Sequence, residues 1–332
     1  MLRTLRAGAE HWPLATPFRI SRGVRTQADL VVAEVRQGNV VGRGEGAPIP
    51  RYGDTVESCV AQIEALRPQV EAGLDRRALL DALKPGAARN ALDCALWDLE
   101  ARLAGRSVAE LIGRTPRGHV TTALTVSLDA PEAMGAAAAK LAHYPLVKVK
   151  VDGSDPAAQL RTVRAACPDA TLIVDANEAW TMPLLEELQP VLAELGVALL
   201  EQPLPAAEDA ALEGFVRSVP ICADESCHLA ADVPRLARRY QAVNIKLDKT
   251  GGLTAALELL AAARAAGMTV MTGCMICTSL SVAPAFQVAE QADFVDLDGP
   301  TWLAQDREGG VVMEGSALKA PSGQLWGGES AR

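Results

Sequence analysis

From residue 120 onward, short apolar runs of β-favouring residues recur at a nearly constant pitch. They are Thr121–Leu128, Val147–Val151, Leu172–Asp175, Leu199–Glu201, Ile221–Ala223, Val243–Leu247, Thr269–Thr272 and Phe294–Asp296. The residues that mark their ends, Lys150, Asp175, Glu201, Asp224, Lys246, Gly273 and Asp296, follow one another at intervals of 22 to 27 residues. Alanine-rich helical stretches fill the intervals, among them Pro131–His143, Pro156–Ala166, Pro183–Leu195 and Leu253–Ala266. Strands that alternate with helices pair in parallel, because each crossover helix carries the chain back to its starting edge. Eight such units predict an α/β fold with a closed (β/α)8-type, TIM-like barrel, its last helix unplaced. A doubly wound open sheet is the alternative, and the even spacing favours closure.

Residues 1–118 lack this regularity and read as an α+β unit. Asp29–Gln37 alternates apolar and polar residues, and Gly38-Asn39 signals a hairpin turn into Val40–Glu45. Thr55–Leu66 and Gly86–Leu103 have helical spacing, with Gly105 as a stop. Two segments rich in Pro, Gly and Arg, 16–27 and 47–54, are expected as loops. Gly42-Arg-Gly44-Glu-Gly46 is not the GxGxxG of a dinucleotide site. Barrel residues are expected over 119–305, and 306–332 is too long for one final helix, so it is expected to pack back on the N-terminal unit.

Composition removes several function classes. A net charge of −9 supplies no basic face for nucleic acid. Ala265–Ala289 holds no charged residue, yet its Thr, Ser, Pro and Gly content suits a buried strand followed by a half-buried helix better than a membrane span. Met1–Leu14 has no apolar leader core, so a cytoplasmic location is expected. Cys274 and Cys277 form a lone CxxC among seven cysteines and read as small buried residues. Nothing in the composition argues against a homo-oligomer.

In such a barrel the strand ends converge on one mouth, where chemistry sits. Three consecutive strands end in carboxylates, Asp175, Glu201 and Asp224. Sharing one mouth, they would repel unless a hard divalent cation such as Mg²⁺ neutralised them. On either side lie lysines: Lys148 and Lys150 on the second strand, Lys246 on the sixth, with Lys249 just after. Only seven of the 32 Lys and Arg residues are lysine, and three of the seven fall on these two strands. Arginine cannot act as a base, whereas a lysine beside another cation and a metal has its pKa drawn down toward neutrality. A metal flanked by two lysines suits removal of a proton from carbon next to a carboxylate. One lysine takes it, the metal stabilises the enediolate, and the other lysine returns the proton to the opposite face. Lys or His bases paired with Mg²⁺ are a known feature of the enolase superfamily.

The motifs KVK (148–150), VDAN (174–177), LEQP (200–203), ADES (223–226) and NIKLDKTGG (244–252) resemble the muconate lactonising subgroup of the enolase superfamily. The resemblance spans the whole chain and implies an N-terminal capping domain with mobile specificity loops at 16–27 and 47–54. Asp296-Leu297-Asp298, PRYGD (50–54), ALDCALWDLEAR (91–102) and GCMICTS (273–279) are similar to the bacterial dipeptide epimerases, in particular those that act on L-Ala-D/L-Glu. Carried over by position, it implies that Asp175, Glu201 and Asp224 hold Mg²⁺. Lys150 and Lys246 would act as bases on the L and D configurations. Lys148 would contact the substrate carboxylate and depress the pKa of Lys150, while Thr125 and Cys274 line the pocket. Asp296 and Asp298 would bind the α-ammonium, and two carboxylates do suit a cation with three hydrogen-bond donors. Arg25, in an FxIxRGxR spacing with Arg19 and Arg22 nearby, would read a glutamate side chain. Cys277 stands where many relatives of the wider subgroup carry glutamate, a departure that agrees with the dipeptide epimerase branch.

The resemblance therefore implies a Mg²⁺-dependent isomerase of small dipeptides, acting in the metabolism of murein peptides. N-succinylamino acid racemase and o-succinylbenzoate synthase chemistry would use the same lysines, but those substrates carry no ammonium for Asp296 and Asp298. A muconate cycloisomerase would need a dianion, which the same pair repels. A catalytically silent peptide-binding barrel would be expected to have lost a base or a ligand, and none is missing.

Overall fold

The N-terminal region is a three-stranded antiparallel meander backed by helices, in a computed structural model that describes residues 3–20, 23–115 and 117–328. Its strands are β1 (Arg3–Ile20), β2 (Gly23–Gln37) and β3 (Val40–Gly46), the last two joined by the expected Gly38-Asn39 turn with Gly38 at φ 61. Of the segment 16–27, expected as a loop, the described residues up to Ile20 and from Gly23 are instead the far end of a β-ribbon. Phe18 pairs with Arg25 and Arg19 with Val24, beyond a register shift between Pro13 and Phe18. The tip rests on the barrel, where Arg19 N donates to Ser127 Oγ at 2.9 Å, but Pro17, Gly23 and the arginines punctuate the short Phe18-Arg19-Ile20 alternation and give it the composition of a loop. Arg22 lies outside the described residues.

The helix Ala87–Ala104 ends at Gly105, which takes the left-handed φ of 59. Its near side explains the GRGEG run. Gly42, Gly44 and Gly46 alternate along β3, and a Cβ on each would collide with the carbonyl oxygens of Ala95, Ala91 and Ala87 respectively. Two residues of strand advance about as far as four residues of helix. The glycine row therefore matches one row of helix carbonyls and lets backbone meet backbone. Gly44→Ala has no flexible atom to displace and is expected to cost about 3 kcal/mol or more, seen as a clear drop in the midpoint of urea unfolding.

The same helix docks the N-terminal region on the barrel through buried polar contacts. Asn90 Nδ2 donates to Asp248 Oδ1 at 2.7 Å, and Ala47 N donates to the same oxygen at 2.9 Å. Arg89 donates to the carbonyls of Thr250 and Gly251, while Asp93 accepts from Thr254 N and Oγ1.

After a short strand β4 (His119–Thr121), the parallel strands follow in order: β5 (Leu124–Val126), β6 (Leu146–Lys150), β7 (Thr171–Asp175), β8 (Val197–Glu201), β9 (Ile221–Ala223), β10 (Ala242–Ile245), β11 (Thr269–Gly273) and β12 (Phe294–Asp296). Each pairs with its sequence neighbour. Ala123 N donates to Val295 O at 2.7 Å and Leu297 N to Thr122 Oγ1 at 2.8 Å, which closes the ring. Two crossovers depart from the expected helices. Between β8 and β9 there is only a 3-10 turn, Asp209–Leu212, since Pro203, Pro205, Gly214 and Pro220 interrupt any longer helix. After β12 comes only Gly299–Trp302, also 3-10.

The uncharged stretch resolves into β11 and the helix Ser279–Ala289, which is buried almost all round rather than on one face. It is wedged between the barrel, β3 and the turn after β12. Among the described residues no helix is long and apolar enough to cross a membrane. The C-terminal strand β13 (Val312–Glu314) pairs with β14 (Ala317–Lys319), which in turn pairs with β4, and beyond them Trp326 Nε1 reaches the Cys94 carbonyl at 3.0 Å and Gly327 N reaches Asp98 at 2.8 Å.

Candidate active site

The barrel interior is built in layers set by the two-residue period of a strand. Its apolar floor consists of Ala123, Leu146, Ile173, Leu199, Cys222, Ala242 and Met271, with Phe294 at its edge. Two residues further along each strand, the same inward positions are Thr125, Lys148, Asp175, Glu201, Asp224, Asn244, Gly273 and Asp296. A second step brings Lys150, Lys246 and Asp298 to the rim. An apolar layer thus gives way to a charged one in a single step, and every predicted barrel site residue but Cys274, beside the Gly273 position, stands in one of the two upper layers.

The upper layer is tightly paired. Lys150, Asp175 and Glu201 are direct cross-strand neighbours. Lys150 Nζ lies 2.5 Å from Asp175 Oδ2, and Lys246 Nζ lies 2.8 Å from Asp224 Oδ2. Lys148 Nζ touches Asp175 at 3.1 Å, Glu201 at 2.6 Å and Asp296 at 2.8 Å, so one ammonium is shared by three carboxylates. Lys249 Nζ donates to Asp224 Oδ1 at 2.5 Å, to the Asp224 carbonyl and to Asn244 O at 3.2 Å. Asn244 Nδ2 donates to Glu201 Oε1 at 2.7 Å. Gly273 leaves space for this arrangement, because a side chain there would come 3.0 Å from both Asn244 Oδ1 and Lys246 Cε.

These contacts set the charge state of two of the lysines. Burial favours neutral lysine, but for Lys148 the carboxylates of Asp296, Glu201 and Asp175 outweigh it and hold the pKa well above the usual range. Lys246 is likewise raised, its burial overcome by Asp224 and Glu201. The predicted downward shift needs a cation that takes over those carboxylates; in the chain alone the sign is opposite. Burial and the neighbouring Asp175 push Glu201 up to about 7. Asp175 resists its own burial and is held low by Lys150 and Lys148.

The trio fits a divalent cation in charge and donor chemistry. Asp175, Glu201 and Asp224 are buried oxygen donors on adjacent strands, and Glu201 Oε2 accepts no well-aligned hydrogen bond although Lys148 Nζ lies close to it. A monovalent ammonium already bridges Asp175 and Glu201, which marks the spot where positive charge is needed. Among the described residues no three His, Cys, Asp or Glu side chains are gathered closely enough to form a ready-made metal cluster. The lysine ammoniums lie between the carboxylates, so cation binding requires Lys148 to yield its contacts.

Above the charged layer opens a cavity of about 550 Å³. Nine of the eleven predicted residues line it: Arg25, Thr125, Lys148, Lys150, Asp224, Lys246, Cys274, Asp296 and Asp298. Asp175 and Glu201 lie beneath, fully buried. Cys277 is buried and Cys274 half-buried against the cavity. The ribbon tip roofs it with Phe18, Ile20, Val24 and Arg25, and the 47–54 segment adds Ile49, Arg51 and Tyr52. Phe18 meets Trp302 edge to face, ring centroids 4.6 Å apart. Arg51 crosses to Glu178 at 2.6 Å, tying that segment to the barrel rim. Burial and the adjacent Asp296 push Asp298 up to about 6, while Thr125 N donates to its Oδ2 at 2.9 Å.

Asn244, Arg51, Tyr52 and Trp302 were not singled out by the sequence reading. Asn244 could have been found from its inward position two residues before Lys246. Arg51 and Tyr52 stand in the PRYGD motif of the expected specificity loop without an assigned role, and Trp302 carries no period that betrays its approach to the mouth.

Ring order gives the site four quadrants. Strands β6 and β10 are four apart among eight, so Lys150 and Lys246 face each other across the mouth. The trio occupies β7 to β9 between them, and Asp296 and Asp298 lie at β12 on the far side. A planar carbon held at the centre has an amine on each face, carboxylates with their cation at one end and an acidic pair at the other.

Comparison with known proteins identifies the family. Residues 2–113 match the mandelate racemase/muconate lactonizing enzyme N-terminal domain, and residues 132–327 match the enolase C-terminal domain-like family. The chain is 52% identical to the L-Ala-D/L-Glu epimerase of Escherichia coli (strain K12), over 98% of this chain and 99% of that one. It is 42% identical to an N-acetyl-D-glutamate racemase of Pseudoalteromonas sp, over 90% of this chain and 95% of that one. Among solved structures, an enolase family member from Agrobacterium tumefaciens with homology to dipeptide epimerases was determined with bound sodium, L-Ala-L-Glu and an ordered loop. It matches with a TM-score of 0.96 at 50% identity, covering 98% of this chain and 100% of that one. With both of its regions matched, the chain belongs to the mandelate racemase/muconate lactonizing enzyme family of the enolase superfamily.

Proposed function

We propose that this protein is a Mg²⁺-dependent dipeptide epimerase that interconverts L-Ala-L-Glu and L-Ala-D-Glu, in the cytoplasmic handling of murein peptides. The observation that carries the reading is the quadrant arrangement, two opposed lysines between a carboxylate trio and a second acidic pair. Asp175, Glu201 and Asp224 would hold the cation, which when bound supplies charge compensation for the trio and for the substrate carboxylate. Lys148, released from the trio, is placed to contact that carboxylate.

Asp296 and Asp298 receive the α-ammonium and so set the register of the dipeptide across the mouth. Thr125 orients Asp298, Cys274 closes the wall, and Arg25 meets the glutamate side chain from the roof. For the L,L substrate, neutral Lys150 takes the α-proton onto Nζ as negative charge moves onto the substrate carboxylate. The Lys246 ammonium then delivers a proton to the opposite face, and the reverse order serves the D configuration. The buried, roofed cavity limits access of water to the reacting carbon.

Racemisation of an N-acylglutamate is the second reading, favoured by the Pseudoalteromonas relative. An N-acyl group brings no cation to two adjacent buried carboxylates, which is why the dipeptide is preferred. Proton NMR in D₂O with Mg²⁺ separates them. Loss of the glutamate α-proton signal of L-Ala-L-Glu, with the L,D isomer appearing, supports the proposal. Exchange confined to N-acetylglutamate replaces it with the second reading.

Asp298→Asn is expected to raise KM for L-Ala-L-Glu about tenfold or more, with a smaller change in kcat. The sign of the pH effect follows from its raised pKa: below about 6 the carboxyl is protonated and loses its hold on the ammonium. Wild-type kcat/KM should therefore rise through that region, and the Asn variant should lack this component of the rise. An unchanged KM in the variant would remove the ammonium role.

A further inference from the structure

Gln202 follows the second carboxylate of the trio and is wholly buried. Its backbone sits at φ 34, in the left-handed region that a glutamine rarely adopts. Its side-chain Oε1 accepts from Asp224 N at 2.9 Å and from Ser226 N at 3.2 Å. On the other side, Nε2 faces Leu204 O at 2.9 Å, Ser226 Oγ at 3.0 Å and Tyr240 OH at 3.1 Å. Tyr240 donates its own proton to Asp209, so its oxygen is free to accept from Gln202, and the amide cannot flip without losing bonds on both sides. The main chain extends the pattern. Gln202 N donates to Cys222 O at 2.9 Å, and Gln202 O accepts from Glu178 N at 2.9 Å.

One residue therefore joins the three strand ends that carry Asp175, Glu201 and Asp224. It sits directly after Glu201, holds the turn after Asp224 through its side chain, and holds the turn after Asp175 through its carbonyl. No other side chain described above bonds the Asp224 amide, and Gln202 touches neither cavity nor carboxylate oxygen. We propose that Gln202 is a positioning residue that sets the spacing of Asp175, Glu201 and Asp224 for a single divalent cation. The left-handed backbone is what lets the side chain turn sideways from β8 to the end of β9. This inference rests on reading the trio as cation ligands. It goes further in making the geometry of those ligands depend on a neutral residue outside the site.

The test is Mn²⁺ binding to the purified protein, followed by the loss of the free-ion electron paramagnetic resonance signal, alongside thermal unfolding. Two variants separate the roles. Gln202→Met removes every side-chain bond and keeps the strained backbone. Gln202→Gly removes the same bonds but takes the left-handed conformation without strain, so it folds even where the Met variant does not. Both are expected to bind Mn²⁺ about 10- to 100-fold more weakly than wild type, as loss of a support behind a metal ligand does, with kcat recovered in part at high Mg²⁺. A Gly variant with near wild-type Mn²⁺ affinity, whatever its melting temperature, would overturn the proposal and leave Gln202 a purely structural residue. Failure of the wild type itself to bind Mn²⁺ would instead overturn the cation reading of the trio.

Discussion

Lys150→Ala should abolish exchange of the glutamate α-proton of L-Ala-L-Glu with solvent, and Lys246→Ala should do the same for L-Ala-D-Glu. Loss of a positioned base costs roughly 10²- to 10⁴-fold, and neither position has a substitute. Once the cation is bound, Lys148 is committed to the substrate carboxylate, and Lys249 spends its donors on Asp224 and Asn244. Because the two lysines face each other across the ring, each variant should keep exchange of the diastereomer whose proton points at the surviving amine. Neither should interconvert the isomers at a measurable rate. Deuterium incorporation read separately on each diastereomer distinguishes this from general damage to the site. If either single variant lost exchange of both isomers while retaining Mn²⁺ binding, the assignment of one base to each face would fall.

Removing divalent cations should have an equally large effect. After dialysis against a chelator, exchange of both isomers should stop, and added Mg²⁺ should restore it. The physical reason lies in the charges. Without a divalent ion, Lys148 is retained by Asp175, Glu201 and Asp296, and Lys246 is held protonated by Asp224 and Glu201. A residue in that state can neither greet a substrate carboxylate nor act as a base. Mg²⁺ at 100 times its dissociation constant should also stabilise the fold by about 2.7 kcal/mol, visible as a higher melting temperature than in chelator. Full exchange in protein shown by elemental analysis to be metal-free would remove the trio from the mechanism.

Much of this protein can be read from local pattern. A pitch of 22 to 27 residues between strand ends implied the barrel, because strand and helix periods are properties of short segments. The strand-end positions of Asp175, Glu201, Asp224 and Lys246 put them at one mouth, and lysine scarcity made Lys148, Lys150 and Lys246 conspicuous. Segment 16–27 escaped, since its proline, glycine and arginines signal a loop, and the pairing of Phe18–Ile20 with Gly23–Arg25 continues past that signal. The crossover between β8 and β9 was readable from its prolines and glycine, although the regular pitch masked it.

Tertiary structure decided the rest. Only closure of the ring puts Lys150 opposite Lys246 and brings residues 148 and 296 into contact. The direction of the lysine pKa shifts depends on which carboxylates lie within a few ångströms, and no spacing along the chain contains that distance. Glycines 42, 44 and 46 looked like a failed nucleotide motif until the carbonyl row of the Ala87–Ala104 helix gave them a partner. Gln202 was one letter of a recognised motif, and its five side-chain contacts reach residues as far as 38 positions away. Periodicity and residue type are short-range properties that a sequence carries openly. Pairing energies fall off with distance in space, and that distance exists only once the chain has closed on itself.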